Sequence, residues 1–276
     1  MPTGLHHRRE GEGPALVLLA GIGMSGAAWR PVTARLRGAR EVWSVDLPGF
    51  GRSEALPAGG PCGIPALADA AERFLAGAGL GRPHVAGNSL GGAVALELGR
   101  RGAVASVTAI SPAGFASRPA QHFAGMSLRF THWAGARLRP VAPRVLTRPG
   151  LRRLLYAQMF AHPEALTPGA AYEHLTTMLD GSAFHDVLVA LDGHRFAGEI
   201  GVPATIGWGT RDCLLLPTQA LRARRLLPAA RHVWLRTCGH VPMSDDPSQV
   251  ARLLLEGSAT PAGAGAPQNA VARASG

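Results

Sequence analysis

The stretch Gly87-Asn88-Ser89-Leu90-Gly91-Gly92 constrains this chain more than any other. Ahead of it lies the apolar Pro83-His84-Val85-Ala86, and behind it Ala93 to Arg101 has helical spacing. A serine set between small residues where a strand becomes a helix is the G-x-S-x-G pattern, whose turn forces the serine into a strained backbone conformation. Side chains at the flanking glycine positions would collide. The hydroxyl is thereby pushed outward, and Ser89 is the candidate nucleophile.

The rest of the chain alternates. Short apolar runs at Ala15–Ala20, Glu41–Val45, His84–Ala86, Val104–Ile110, Ala204–Trp208 and His232–Leu235 read as strands. Between them, Ile64–Ala76, Leu90–Arg101, Pro217–Leu227 and Pro247–Glu256 have helical periodicity. Such alternation predicts an α/β fold, a mainly parallel central sheet flanked by helices on both faces, with its site at the carboxyl ends of the strands. The pattern breaks over residues 115–195, where Phe123, Met126, Phe130, Trp133, Leu154 and Met159 recur among prolines, and predicts an inserted helical lid. The expected division is 1–114 and 196–257 for the core, 115–195 for the lid, and 258–276 for a disordered Ala/Gly/Ser/Pro tail. Periodicity does not decide which of Phe130, Trp133, Met159 or Phe184 points into a pocket.

Charge is unevenly spread. The chain carries 28 basic residues against 18 acids, and every basic one is arginine. No Asp or Glu lies between Leu98 and Pro163, a stretch that holds Arg100, Arg101, Arg118, Arg129, Arg137, Arg139, Arg144, Arg148, Arg152 and Arg153. One reading of these arginines is a basic surface that attracts anionic substrates, membrane lipid or nucleic acid; the other, which is favoured, is a set of solvated helix faces. Because they are interleaved with Pro and Gly and accompany no nucleic-acid motif, no nucleic-acid partner is expected. Three cysteines, Cys62, Cys213 and Cys238, have neither disulfide-framework nor zinc-ligand spacing. With no apolar leader and no membrane-length run, the expectation is a soluble, cytoplasmic protein without stable membrane insertion. Its oligomeric state is not legible.

A serine needs a base, and the base needs an orienting group. Trp208-Gly209-Thr210-Arg211-Asp212 places a carboxylate just after one strand, and Thr237-Cys238-Gly239-His240-Val241-Pro242 an imidazole just after the next. Ser89, Asp212 and His240 stand in the chain order of one known solution to the triad geometry. Asp245 and Asp246 read as helix N-terminal residues ahead of Pro247, and Cys213 and Cys238 as packing residues.

With Asp46-Leu47-Pro48-Gly49-Phe50-Gly51-Arg52-Ser53, similar to a D-x-x-G-x-G-x-S loop, these motifs make the chain resemble the α/β-hydrolase family from about Pro14 to Glu256. Leu90, after the nucleophile, is expected to supply one oxyanion N–H. The resemblance implies that the other comes from Ile22, the residue after a pair that is His-Gly in the family and Ala20-Gly21 here. Two departures are the missing His and a short N-terminus that leaves room for an abbreviated first hairpin.

The expectation is a serine-dependent hydrolase of a carboxylic ester or related acyl compound, acting through an acyl-enzyme on a small apolar substrate, with no metal or organic cofactor. Serine at the elbow argues against the dehalogenase and epoxide-hydrolase branches that use Asp there. Asn88 favours a rival, C–C hydrolysis of vinylogous diketones, although those relatives usually carry an aromatic residue where this chain has Val241. A non-catalytic small-molecule binder is the alternative from another class.

Overall fold

The computed structural model describes residues 4–259. Seven strands, β1 (His7–Glu10), β2 (Ala15–Leu19), β3 (Glu41–Val45), β4 (His84–Asn88), β5 (Ser106–Ile110), β6 (Ala204–Gly209) and β7 (Arg231–Leu235), form one sheet in the order β1-β3-β2-β4-β5-β6-β7. β1 pairs antiparallel with β3 at one edge, and the other pairings are parallel. Residues His7–Glu10 thus supply one antiparallel edge strand.

Alternation along β2 shows why the runs are continuously apolar. Val17 and Leu19 join one core with Phe74, Leu75 and Leu96, while Leu16 and Leu18 join the other with Trp29, Val32 and Leu254. Successive side chains point to opposite faces, and both faces are covered. The first layer comprises α2 (Ile64–Gly77), α3 (Leu90–Arg100) and α9 (Thr218–Leu226), and the second α1 (Arg30–Leu36) and α11 (Pro247–Gly257). α1 is absent from the helices that periodicity predicts, because it is only seven residues long. Its signal is nevertheless present in Trp29, Val32 and Leu36, all fully buried.

The strand order explains where a site forms. From β2 the chain crosses to β3 on one side, then returns past β2 to β4 on the other. At such a reversal the connections leave in opposite directions and open a crevice at the strands' carboxyl ends. Ile22 follows β2 there, and Ser89 follows β4.

Between β5 and β6 lie five helices: α4 (Arg118–Leu138), α5 (Ala142–Val145), α6 (Pro149–Tyr156), α7 (Pro168–Asp180) and α8 (Phe184–Leu191). Their seat on the core is the loop after β3. The buried Asp46 carboxylate accepts from Gly26 N (2.6 Å) and Arg52 N (2.9 Å) and meets His6 Nδ1 at 2.9 Å, which fixes that loop. Gly49, at φ 78°, lies so close to Ala183 that a Cβ would come within 2.2 Å of it. No side chain larger than hydrogen fits where the α7–α8 joint rests.

Ser258, the first residue of the expected tail, belongs to the packed core. Ser258 is buried and bonded: its hydroxyl donates to Leu254 O (2.7 Å), and Arg40 Nε and Nη2 reach its Oγ and carbonyl. The remainder of the expected tail, 260–276, lies outside the described residues. Among those residues no helix is long and apolar enough to cross a membrane.

Candidate active site

Ser89 occupies the turn between β4 and α3 with φ 55° and ψ −112°, outside the basins that L-residues favour. Such a backbone costs on the order of 1–3 kcal/mol and persists only where its surroundings enforce it. Here Ser89 N donates to Ile110 O (2.9 Å), and Ser89 O accepts from Ala93 N (3.0 Å) and Ala113 N (3.1 Å). The glycines are sterically required: a Cβ on Gly87 would lie 2.1 Å from Gly91 O, and one on Gly91 would lie 2.3 Å from Leu19 O.

Asp212 and His240 come together in the loops after β6 and β7. Their side chains are essentially sealed from solvent, with His240 Nδ1 2.8 Å from Asp212 Oδ2. The other carboxylate oxygen accepts from Leu214 N (3.0 Å) and Leu215 N (2.8 Å), so Asp212 is fixed before it meets the ring. The two loops are braced by Arg211 N donating to Cys238 O (2.8 Å) and Thr210 N to Leu235 O (3.0 Å).

No hydrogen bond joins Ser89 Oγ to the His240 ring; Asn88, one residue before Ser89, ties the two segments instead. Its buried Nδ2 donates to His240 O (2.9 Å) and Ile110 O (3.2 Å). In the sequence Asn88 bears only on the choice between reactions; its positioning role appears only in the fold. The signal was an amide at a strand end where small apolar residues surround it.

Asp245 was also misread. Only Asp246 caps α11, accepting from Ser248 N (3.1 Å) and Gln249 N (2.9 Å). Asp245, at the end of the short α10 (Pro242–Asp245), accepts instead from Gly239 N (2.8 Å), Ala161 N and His162 N (each 3.0 Å). One carboxylate thereby binds the loop before His240 to the segment after α6. Cys213 is exposed, so it is not a packing residue, whereas Cys238 is buried. Burial, with the negative charge of Asp245 and Asp246, raises the Cys238 thiol to about 12 and keeps it protonated. Among the described residues no group of three or more His, Cys, Asp or Glu is placed to hold a metal ion.

Ser89 opens onto a cavity of about 280 Å³ lined by Ile22, Ala113, Leu188, Leu214 and Leu215. A second cavity of about 640 Å³, lined by Met24, Tyr156, Met159, Phe160 and Leu175, lies beneath α4. Ile22 and Leu128 border both. The backbone N–H groups of Ile22 and Leu90 have no acceptor among the described residues, and the latter belongs to the first residue of α3, where a helix leaves its donors free. Of the four residues left undecided, Phe184 is core, Met159 and the 65% exposed Phe130 line the larger cavity, and Trp133 is 51% exposed.

His174 on α7 borders the larger cavity and packs on Phe160 at 5.2 Å between ring centres. Burial lowers its pKa from 6.5 to about 4, with Glu173 opposing and Arg30 adding to the shift. The folded ring is therefore neutral at pH 6, where the unfolded chain binds more protons. Stability falls as pH drops from about 6.5 to about 4, by on the order of 2–3 kcal/mol, and the loss levels off below. In urea unfolding at pH 7.5 and 5.0, His174→Phe is expected to lose much less of its midpoint than the parent. Equal losses would remove His174 as the cause.

The Alpha/beta hydrolase family model matches residues 16–253, and the chain belongs to that family. It is 33% identical over 198 residues to the epoxide hydrolase EphH of Mycobacterium tuberculosis, covering 68% of this chain and 91% of that protein. It is 30% identical over 273 residues to a 2-hydroxy-6-oxononadienedioate/2-hydroxy-6-oxononatrienedioate hydrolase of Burkholderia vietnamiensis, covering 91% and 90%. A pimeloyl-[acyl-carrier protein] methyl ester esterase of Vibrio vulnificus is 50% identical over 58 residues, 21% of this chain, and the match spans only 23% of that esterase. Among solved structures, a bacterial membrane phospholipase A superposes with a TM-score of 0.72 at 26% identity, covering 93% of this chain and 87% of that one.

Proposed function

We propose that this hydrolase is a serine enzyme acting on carboxylic esters or related acyl compounds. The observation that carries the reading is the sealed Asp212–His240 pair, held through Asn88 to a strained Ser89 that faces an apolar cavity. In the proposed sequence Ser89 Oγ attacks the acyl carbon while His240 takes its proton. Asp212 keeps the proton of the neutral ring on Nδ1 and stabilises the imidazolium. The Ile22 and Leu90 N–H groups receive the oxyanion, His240 returns the proton to the leaving alcohol, and water resolves the acyl-enzyme.

The relatives span several reactions, and the elbow residue discriminates among them. An elbow carboxylate opens an epoxide to an ester that water can cleave, but a serine would form an ether with no hydrolytic exit. Ser89 therefore supports acyl chemistry despite the resemblance to an epoxide hydrolase. The methyl ester esterase match favours an ester and, given its short span, bears only on bond class.

C–C hydrolysis is the second reading, favoured by the near-full-length relative of that activity and by Asn88. A fluorophosphonate probe is expected to label the wild type and leave Ser89→Ala unlabelled; equal labelling would overturn the serine mechanism. A rate panel of p-nitrophenyl esters of increasing chain length beside a vinylogous diketone separates the two readings. Ester turnover is expected to dominate, and selective diketone cleavage would replace the ester reading with the second.

A further inference from the structure

The outer face of α4 carries a row of exposed large apolar side chains. Phe123, Met126, Phe130 and Trp133 recur at i, i+3, i+7 and i+10, which aligns them along one side of the helix, and each is more than half exposed. Phe130 and Trp133 stack at 5.7 Å between ring centres, and the Arg137 guanidinium lies 3.8 Å over the Trp133 ring. The patch is continuous with a cavity mouth: Phe130, Val141 (46% exposed), Leu154 (75%) and Arg137 all border the 640 Å³ cavity. Met126 and Arg129 border the smaller cavity that reaches Ser89.

Cationic residues lie on α4 itself and on the segments that follow it. Among the described residues, exposed Arg118, Arg129, Arg137, Arg144, Arg148 and Arg153 have no carboxylate partner, whereas Arg139 is paired with Asp180 and the buried Arg152 is spent on Leu146 O and Glu164 O. The absence of acids from Leu98 to Pro163 means that nothing on α4 to α6 offsets them.

We propose that the α4 face, with the α6 residues beside it, docks on an anionic lipid surface and presents the mouth of the larger cavity to the lipid. Aromatic and aliphatic side chains on one face of a helix with arginines at its margins match an interfacial helix, whose apolar face enters the headgroup boundary while cations meet lipid phosphates. A second copy fits poorly, because a two-fold contact through this face would bring Arg129 and Arg137 toward their own equivalents. Delivery of a lipid-like acyl substrate through the mouth rests on the acyl-hydrolase reading; the docking does not.

The test uses sedimentation of the full chain carrying Ser89→Ala with vesicles of phosphatidylglycerol and phosphatidylcholine, so that binding is read without turnover. Binding is expected to vesicles rich in phosphatidylglycerol, to weaken with added salt, and to be at least tenfold weaker to pure phosphatidylcholine. Each arginine near such a surface contributes about 1 kcal/mol, so Arg129→Gln/Arg137→Gln should weaken partitioning about 30-fold. Phe130→Ser/Trp133→Ser should weaken it more than tenfold, and both pairs are exposed enough to leave Tm unchanged. No vesicle binding, or equal binding to both lipids, overturns the proposal. If the arginine pair matters and the aromatic pair does not, charge alone acts, as it would toward an acidic protein, and the proposal also fails. A concentration-dependent dimer abolished by the aromatic pair would instead assign the face to a second copy and overturn it.

Discussion

Ser89→Ala should lower kcat for a p-nitrophenyl ester by about 10⁵-fold or more, with Tm and far-UV circular dichroism unchanged. The loss is large because the proposed mechanism passes every covalent step through Ser89 Oγ, which no other group can replace. Cys213, exposed at the surface, and Cys238, held as a buried thiol, are not substitutes. The fold should not notice the change, because the atom removed makes no hydrogen bond among the described residues and alanine keeps the Cβ. What remains should be the small acceleration from substrate binding and the Ile22 and Leu90 N–H groups. A variant that keeps more than a few per cent of activity, after contaminating enzyme is excluded by probe titration, would remove Ser89 from the chemistry.

Much of this arrangement was legible in the sequence because its signals are local. At the β4–Ser89–α3 turn, Gly87 must be small for a reason contained within six residues, its closeness to Gly91 O, whereas Gly91 answers to the distant Leu19 O; β2's unbroken Ala15–Leu19 run follows from burial on both faces. Asp212 and His240 were readable as loop residues after strands, in an order that only one arrangement of the sheet makes useful. Asn88 and Asp245 were not, because their partners lie far off in sequence. Asn88 Nδ2 meets a carbonyl 152 residues away, and Asp245 meets amides 83 and 84 residues back. Nothing near Asp245 distinguishes it from Asp246, yet one braces the loop before His240 and the other caps a helix. The arginine-rich helices show a related failure. Charge bias was visible, but whether the aromatic residues among the arginines faced inward depended on packing between α4, α6 and α7, which periodicity does not encode.

Asp212→Asn should lower kcat by about 10⁴-fold while leaving the fold nearly as stable as wild type. The two carboxylate oxygens divide the work. Oδ1 holds the loop by accepting from Leu214 N and Leu215 N, and Oδ2 meets His240 Nδ1. An asparagine can keep its carbonyl on the two amides, which turns its NH₂ toward the ring. The imidazole Nδ1 must then accept, so its proton moves to Nε2 and the ring can no longer take the serine proton. The charge that would stabilise the imidazolium is lost as well. Asp212→Ala removes the same catalytic support but also strands two buried N–H groups, each costing about 1–3 kcal/mol. Activity should therefore collapse in both variants, whereas Tm should fall clearly only in the alanine one. Asp212→Asn activity within tenfold of wild type would leave Asp212 as a loop anchor alone, and His240 would need another explanation for its orientation.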